Sequence, residues 1–263
     1  MRLPIYQVDA FTARLFGGNP AAVVPMSNFP EDAVMQAIAA ENNLSETAFL
    51  VPHEGDYRLR WFTPKVEVPL CGHGSLASAA VVMERLEPAR RKVMFHTASG
   101  ALTVERTDSG YKMDFPSRPA ERIALPPGLA EALGVQPLEV HANAFYYMVV
   151  VESAKQVRAL APDMPALAQQ ERTGVIVTAP GEGGHDFISR YFAPAKGVAE
   201  DPVTGGAHCT LAPYWARRLG KTNFRAFQAS PRGGEIVCRL LGERVSLEGS
   251  CVFYLEGHIQ VVG

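Results

Sequence analysis

Cysteine is scarce in this sequence, and the arrangement of the few cysteines excludes two common roles. The 263 residues include four cysteines, Cys71, Cys209, Cys238 and Cys251, and no two of them form a C-x-x-C pair. A disulfide framework needs a higher density of cysteine in a small chain, and a structural zinc site needs closely spaced ligand pairs. The sequence therefore predicts a cytoplasmic protein with no metal site.

Long apolar runs and an excess of charge are also missing. No stretch approaches the roughly 18–20 apolar residues that span a bilayer, and the first residues lack the apolar segment of a signal peptide. Lys and Arg number 25 against 27 Asp and Glu, which gives a net charge of −2. Proteins that bind nucleic acid or an anionic membrane usually carry a basic surface, so we expect neither partner.

Nucleotide-binding motifs are absent too. The turn G-H-G at residues 72–74 lacks the third glycine of G-x-G-x-x-G and its strand–helix–strand context, and no G-x-x-x-x-G-K-[ST] occurs. These motifs hold pyrophosphate or triphosphate groups through backbone amides. The sequence therefore offers no dinucleotide site and no P-loop.

The length and an internal repeat predict two related halves. At roughly 150 residues per domain, the chain corresponds to slightly fewer than two domains. The sequence R-W-F-T-P at residues 60–64 returns as R-Y-F-A-P at residues 190–194. After each copy come an acidic residue, a glycine-rich turn and a helix of small residues, predicted over 75–86 and 206–219. We therefore expect a duplicated structural unit.

Proline residues cluster near residues 120–140 and mark the expected boundary. We expect an N-terminal half over residues 1–125 and a C-terminal half over residues 126–263, with a C-terminal strand that can cross back to the first half. Strand patterns outnumber helix patterns, and small side chains on each long helix let strands approach it closely. The predicted fold class is α+β, with two pseudo-symmetric halves that each wrap a curved, mostly antiparallel sheet around a central helix.

The two glycine-rich turns, residues 70–74 and 201–206, predict anion-binding helix starts. A turn that runs directly into a helix leaves backbone N–H groups unpaired at the positive end of the helix dipole. Such a position binds carboxylate or phosphate. If the two helix starts face each other across the interface between the halves, they form an anion-selecting cleft. Alternatively, the glycines only permit tight turns.

Glu46 is the first candidate for chemistry because it stands where a predicted helix ends and a predicted strand begins. Partial removal from water raises the pKa of a carboxyl group above its usual value. A carboxyl group tuned in this way suits proton transfer near neutral pH. The alternative is a capping or surface residue.

His73, Asp201 and Cys71 lie in the two turns. The helix dipole is expected to keep His73 neutral and Asp201 ionised, and Asp201 can alternatively cap its helix. Cys71 at a helix start can act as a base or nucleophile, which leaves a cysteine-based racemase open as a further alternative. Cys209 falls within a predicted helix and is interpreted as a core residue.

Six motifs occur in an order that resembles the phenazine-biosynthesis-like (PhzF-like) protein family. They cover nearly the whole chain and stand at residues 8–11 (V-D-A-F), 18–23 (G-N-P-A-A-V), 43–49 (N-L-S-E-T-A-F), 70–74 (L-C-G-H-G), 201–205 (D-P-V-T-G) and 228–234 (Q-A-S-P-R-G-G).

The resemblance implies a diaminopimelate-epimerase-like fold, a homodimer, no cofactor and an isomerase acting on a small carboxylic acid. In the best-understood relative, the substrate is trans-2,3-dihydro-3-hydroxyanthranilate, and the glutamate that corresponds to Glu46 moves a proton within it. His73 and Asp201 are implied to assist. The implied substrate-binding residues lie around the same motifs and are Ser45, Gly72, Gly74, Ser75, Thr204, Gly205 and Gly206.

One position departs from the family pattern. Many relatives have serine after D-P-V-T-G, where this chain has Gly206, so one side-chain donor to a substrate carboxylate is absent there. Ser75 offers a hydroxyl at the other turn. Together with the resemblance, these residues predict a cofactor-independent isomerase or epimerase of a small carboxylic acid, and they leave open whether this acid is the phenazine precursor. The alternative is a non-catalytic protein that has kept the fold and binds a small carboxylate.

Overall fold

A computed structural model describes residues 2 to 261 of the chain. The chain divides into two units. The first unit comprises the chain up to Asp114 and again from Glu248 onwards, and the second comprises Phe115–Leu247. Each unit is built mainly of strands and contains one long, buried helix.

The elements follow one another along residues 2–261 with short connections. The strands are β1 (Arg2–Ala10), β2 (Asn19–Pro25), β3 (Glu46–His53), β4 (Asp56–Phe62), β5 (Glu67–Val68), β6 (Lys92–Thr97), β7 (Gly100–Arg106), β8 (Tyr111–Pro116), β9 (Glu121–Ile123), β10 (Glu139–Ala142), β11 (Tyr146–Val150), β12 (Gly174–Pro180), β13 (Phe187–Ala193), β14 (Val198–Glu200), β15 (Asn223–Gln228), β16 (Gly234–Leu241), β17 (Arg244–Gly249) and β18 (Cys251–Gln260). The helices are α1 (Asp32–Asn42), α2 (Gly72–Val81), α3 (Leu129–Leu133), α4 (Ala154–Ala159), α5 (Met164–Ala168) and α6 (Gly205–Leu219).

The two units repeat one pairing pattern. In the first, β18, β1 and β2 pair antiparallel, β2 pairs parallel with β3, β3 pairs antiparallel with β4, and β4 pairs parallel with β6. In the second, β9, β10 and β11 pair antiparallel, β11 pairs parallel with β12, β12 pairs antiparallel with β13, and β13 pairs parallel with β15. The expected pseudo-symmetry is therefore present in the strand order of each unit.

The central helix of the first unit is α2, which is buried on every side from His73 to Val81. It packs against β1, β2, β3, β7 and β18, so the sheet of this unit surrounds it. Seven of its ten residues are Gly, Ala or Ser, and side chains of that size let backbones approach closely. A π-helical turn, Val82–Leu86, continues the helix, so the segment predicted over residues 75–86 begins three residues earlier than expected.

The central helix of the second unit is α6, which begins one residue before the predicted start at residue 206. Its aromatic residue Trp215 is buried, stacks on Phe187 of β13 at a centroid distance of 5.7 Å and donates an N–H bond to the Thr178 hydroxyl of β12 at 3.1 Å. The predicted α+β class, with mostly antiparallel strands around one helix in each half, is confirmed.

The repeated R-x-F-x-P segments form matching ion pairs in the two units. Arg60 of β4 contacts both carboxylate oxygens of Glu67 at 2.7 Å. Arg190 of β13 contacts both oxygens of Glu200 at 2.8 and 2.7 Å. In each unit a short return strand brings the acidic residue opposite the arginine-bearing strand and leads into the glycine-rich turn. The acidic residue that follows each copy in the sequence is thus the ion-pair partner of the arginine in that copy.

The shortest strands were missed by the sequence patterns. The strands β5, β9, β10 and β14 have only two to four residues each, too few to show a period of two. Among residues 2–261, no helix has the length and apolar character to cross a bilayer.

Candidate active site

A carboxylate–imidazole pair stands at the start of α2 in the first unit. Oε2 of Glu46 lies 2.8 Å from Nε2 of His73, and the two side chains are 18% and 6% exposed. Glu46 begins β3, and His73 is the second residue of α2. Two residues singled out from separate motifs are therefore brought into direct contact.

Parallel pairing of β2 with β3 positions this pair. Ala21 of β2 lies opposite Glu46 of β3, so both strands begin at the same edge of the sheet. Asn19, the first residue of β2, places its amide nitrogen 3.1 Å from Nδ1 of His73. At the end of α1, the Asn42 amide donates to the Thr47 hydroxyl at 3.1 Å and fixes the chain next to Glu46. The imidazole is thus held on one side by Asn19 and presents Nε2 to Glu46.

Cys71 caps α2 and completes the cluster. Its sulfur accepts the N–H of Gly74 at 3.3 Å and lies 3.6 Å from Nδ1 and 3.9 Å from Nε2 of His73. Burial and the nearby charge of Glu46 raise the pKa of the Cys71 thiol to about 11. Near pH 7 the sulfur is therefore a neutral thiol, a weak nucleophile.

His73 differs from the expected neutral histidine. Burial lowers the pKa of His73, but interactions of the ring with Cys71 and Glu46 outweigh burial, and the pKa lies well above its usual value. The expectation considered only the helix dipole, which opposes protonation. The dipole acts as a partial charge over several ångströms, whereas the carboxylate oxygen lies 2.8 Å from the ring nitrogen, so the carboxylate prevails.

The other predicted residues of the first turn have mainly local partners. The Ser75 hydroxyl donates to the Cys71 carbonyl at 2.6 Å and is fully buried. At position 74 a Cβ would lie 2.9 Å from the Trp61 ring and 3.0 Å from the Cys71 sulfur, so only glycine fits there. Ser45 is partly buried in the bend just before β3, and Gly72 is the first residue of α2.

In the second unit, Asp201 belongs to a compact polar network at the start of α6. The Thr204 hydroxyl donates to Oδ2 of Asp201 at 2.5 Å, while the Thr204 N–H donates to Oε1 of Gln228 at 2.9 Å. The Gln228 amide nitrogen donates to the Asp201 carbonyl at 2.7 Å. The Thr204 hydroxyl therefore hydrogen-bonds to the carboxylate of Asp201. Its side chain makes no capping hydrogen bond to α6, which begins at the next residue.

The Q-A-S-P-R-G-G segment, residues 228–234, makes hydrogen bonds to this turn. Gln228 is fully buried and makes the contacts described above. The Ser230 hydroxyl donates to the Pro202 carbonyl at 2.8 Å and accepts the Gly233 N–H at 3.1 Å. The motif thus holds the D-P-V-T-G turn in place. Its role had no local signal in the sequence, because it depends on pairing of β15 with β13.

The first-unit cluster also offers a mixed donor set. One oxygen of Glu46, the sulfur of Cys71 and one ring nitrogen of His73 lie within 4.8 Å of one another. Zinc accepts oxygen, sulfur and nitrogen ligands at distances of about 2.0–2.3 Å. A metal would compete with the direct Glu46–His73 contact, so the same side chains can either hold an ion or exchange a proton with each other.

The chain shares its fold with a solved hydroxyproline epimerase. The structure of a hydroxyproline epimerase from Agrobacterium vitis aligns with a TM-score of 0.61 over 98% of this chain and 91% of that chain. The sequences are 13% identical, so this likeness shows the fold alone.

Closer relatives define the family. Residues 8–257 match the phenazine biosynthesis-like protein family. A PhzF-family structure from Enterococcus faecalis aligns with a TM-score of 0.96 at 42% identity, over 99% of this chain and 100% of that chain. A Pseudomonas aeruginosa protein named as an uncharacterized isomerase is 50% identical over 261 residues, which are 99% of this chain and 100% of its own length. The chain belongs to the phenazine biosynthesis-like family, and an isomerase-type role is supported at the family level.

Proposed function

We propose that this protein is a cofactor-independent isomerase that moves a proton within a small carboxylic acid, with Glu46 as the general acid and base. The observation that carries the proposal is the contact between Glu46 and His73, 2.8 Å apart and mostly buried at the start of α2. Family membership supports an isomerase-type reaction, and the pair supplies a specific means of performing it.

The chemistry follows from the pair. Glu46 takes a proton from a carbon next to an activating group of the substrate, so a C–H bond breaks and an O–H bond forms on the carboxyl group. His73 faces the carboxylate and stabilises its charge while Glu46 is ionised, that is, before it takes the proton and after it has returned it. Glu46 then returns the proton to a different carbon, or to the opposite face of the same one. A positioned acid and base of this kind contributes about 10²–10⁴-fold to a rate.

In each unit, backbone amides at the start of the central helix are a proposed anion-binding position. In the first unit these are the N–H groups of Gly72 and His73, since the N–H of Gly74 is occupied by Cys71. In the second unit they are those of Gly205 and Gly206. Aligned amides and the helix dipole stabilise a carboxylate and the negative charge that develops during proton removal. Asp201 keeps its predicted role as an assisting residue.

Solvent deuterium incorporation tests the proposal. The protein is incubated in D2O with trans-2,3-dihydro-3-hydroxyanthranilate and a panel of small amino and hydroxy acids, and the products are analysed by mass spectrometry. We expect one class of acid to gain deuterium with wild type and to lose this gain with Glu46→Gln. Exchange that persists in Glu46→Gln would show that another group moves the proton. A tight ligand without exchange would favour the non-catalytic alternative.

A further inference from the structure

The sulfur of Cys71 lies beside the Glu46–His73 pair and takes no part in the proton transfer proposed above. It is 3.6 Å from Nδ1 and 3.9 Å from Nε2 of His73, and Nε2 in turn is 2.8 Å from Oε2 of Glu46. A sulfur, a ring nitrogen and a carboxylate oxygen therefore border one small volume at the start of α2. Thiolate, imidazole and carboxylate are the side-chain groups that bind zinc in proteins.

The carboxylate oxygen in this cluster lacks a hydrogen bond. Oε2 of Glu46 is buried and accepts no hydrogen bond of normal geometry from residues 2–261, although Nε2 of His73 lies 2.8 Å away. A buried acceptor without a donor costs free energy, and the cost is larger when the acceptor is charged. A cation bound to this oxygen would remove that cost, so the oxygen points to an ion as the missing partner.

The distances within the cluster suit a tetrahedral ion. Zinc bonds of about 2.0–2.3 Å place neighbouring ligand atoms about 3.3–3.8 Å apart. The distance of 3.9 Å from Sγ of Cys71 to Nε2 of His73 is close to this range. Oε2 of Glu46 has to move away from Nε2 by about half an ångström to reach it. Glu46 is the most exposed of the three residues, so it is the ligand with room to move.

The other two ligands are held in place from the side opposite the metal. The sulfur of Cys71 accepts the N–H of Gly74 at 3.3 Å, and Nδ1 of His73 lies 3.1 Å from the Asn19 amide nitrogen. Asn19 therefore occupies the Nδ1 side of the ring and leaves Nε2 for an ion. Contacts of this kind, made by the groups behind the ligands, orient metal-binding side chains in proteins.

The ligand types select the metal. Thiolate and imidazole favour zinc over magnesium and calcium, which prefer oxygen ligands. Three protein ligands leave a fourth tetrahedral position, which water fills on the solvent side of Glu46. Coordination uses one lone pair each of Sγ, Nε2 and Oε2, and the thiol proton of Cys71 passes to solvent.

We propose that Cys71, His73 and Glu46 bind a zinc ion that reversibly inhibits the enzyme. This inhibition rests on the proposed function, because the ion occupies the carboxylate lone pair that takes the proton from the substrate. The lack of C-x-x-C pairs predicted no metal site, since that argument considers ligand pairs close in sequence. Here a cysteine and a histidine two residues apart meet a glutamate from a separate strand.

Cobalt(II) is the probe for the site, because it accepts the same ligands as zinc and absorbs light when a thiolate binds it. Titration of the whole protein, with its thiols reduced, should produce a sulfur-to-cobalt charge-transfer band that saturates at one equivalent and disappears when Zn²⁺ is added. Cys71→Ser keeps a capping oxygen for α2 and should lack the band. Cys251→Ser, in β18 of the same unit, is the matched control and should keep it.

Zinc inhibition of deuterium exchange tests the consequence for activity, with each variant compared with its own rate in the presence of a chelator. Wild type should lose exchange as free Zn²⁺ rises, recover it when chelator is added, and ignore Mg²⁺ at the same concentration. Cys71→Ser should need about tenfold more Zn²⁺ or higher for half inhibition, because it lacks the sulfur ligand. His141→Gln alters the carboxylate–histidine pair of the second unit and should be inhibited like wild type.

Three results would overturn the zinc site: no charge-transfer band in wild type, an undiminished band in folded Cys71→Ser, or equal zinc sensitivity of Cys71→Ser and wild type. The thermal midpoint identifies a fold defect. His73→Gln, which removes a ligand and leaves the cap intact, is the second variant and should also weaken cobalt binding.

Failure of the zinc site is separate from failure of the proposed function. A cobalt band in a protein that exchanges no deuterium into any acid would remove the isomerase chemistry and leave the metal site. Deuterium exchange that Zn²⁺ does not affect, in a protein without the band, would remove the metal site alone.

Discussion

Glu46 and His73 illustrate how two weak signals become a specific site once the chain folds. Each alone fits a capping or core role, but the start of β3 and the start of α2 place them in contact at 2.8 Å. The contact also reverses the expectation for the imidazole, because an adjacent carboxylate favours the charged form more strongly than the helix dipole opposes it. The proposed chemistry therefore depends on the contact between these two side chains.

The Cys71 thiol is predicted to be structural. Its sulfur caps α2, and its pKa of about 11 keeps it neutral near pH 7. Cys71→Ser keeps an acceptor for the Gly74 N–H and should retain deuterium exchange, while Cys71→Ala should lower the free energy of unfolding by about 1 kcal/mol through loss of the cap. Exchange rates and urea unfolding of both variants check this. Loss of exchange in the folded serine variant would instead support the cysteine-based racemase.

The sequence could not predict which side chains contact the candidate site residues. The motifs singled out Glu46, His73 and Asp201 through the resemblance to the PhzF-like family, since each residue alone also fits a structural role. Asn19 is placed by pairing of β2 with its neighbours, and Gln228 by pairing of β15 with β13. Nothing in the local sequence distinguishes such residues from ordinary strand or loop positions.

At the scale of elements, the two ion pairs of the repeated segment have unequal burial. Arg190 and Glu200 are 10% and 14% exposed, whereas Arg60 and Glu67 are 25% and 38% exposed. Arg190 also donates to the Leu160 carbonyl just after α4 at 2.7 Å. The pair in the second unit therefore joins a helix to the sheet, while its counterpart lies nearer to solvent.

Removal of one carboxylate from each pair should show this difference. Glu200→Gln leaves a buried guanidinium without its counter-charge and should lower the free energy of unfolding by about 3 kcal/mol. Glu67→Gln should cost about 1 kcal/mol or less, because exposed pairs contribute little. Urea unfolding of the two variants measures both values. Equal losses would contradict the assignment of different energetic roles.

His208 makes α6 sensitive to acid. Its Nδ1 donates to the Thr204 carbonyl at 2.8 Å, and burial lowers its pKa to about 4. The unfolded chain binds a proton near pH 6.5 and the folded chain only near pH 4, so this residue's contribution is present above pH 6.5 and lost as the pH falls. The shift corresponds to about 3 kcal/mol over that interval.

Comparison with His208→Asn isolates this titration. Between pH 7 and pH 4, wild type should lose up to about 3 kcal/mol more unfolding free energy than the variant, which keeps a donor near the Thr204 carbonyl. Urea unfolding at several pH values gives both slopes, and parallel slopes would exclude His208 as the acid-sensitive group.

The two central helices were predictable, and the shortest strands were not. Small residues that follow the two glycine-rich turns predicted α2 and α6, whose bounds agree within a few residues. Strands of five residues or more showed alternation or apolar runs. In contrast, β14 and β5 are too short to show a pattern, and the contact of their acidic residues with an arginine on the neighbouring strand is tertiary.

At the scale of the whole molecule, the C-terminal strand belongs to the first unit. The ladder of β18 with β1 runs from the pair Arg2–Gln260 to the pair Ala10–Cys251, and both strands lie in the same unit. The homodimer that the family resemblance implies stays a prediction.

A fragment of residues 1–125 should therefore fail to fold cooperatively. Without β18, the edge of β1 exposes a row of unpaired N–H and C=O groups and the helix α2 loses part of its cover. Thermal unfolding followed by circular dichroism checks this against the full chain. A sharp transition in the fragment would show that the first unit is complete without its C-terminal strand.

The central claim is that Glu46 moves the proton, and the chain provides its own matched control. Glu139 and His141 in the second unit form a pair at 2.9 Å with side chains 17% and 9% exposed, close to the values of Glu46 and His73. The most direct measurement is the rate of deuterium incorporation into the identified substrate by Glu46→Gln and Glu139→Gln. We expect a loss of about 10²–10⁴-fold in the first and a rate near that of wild type in the second. Equal rates in the two variants would contradict the account.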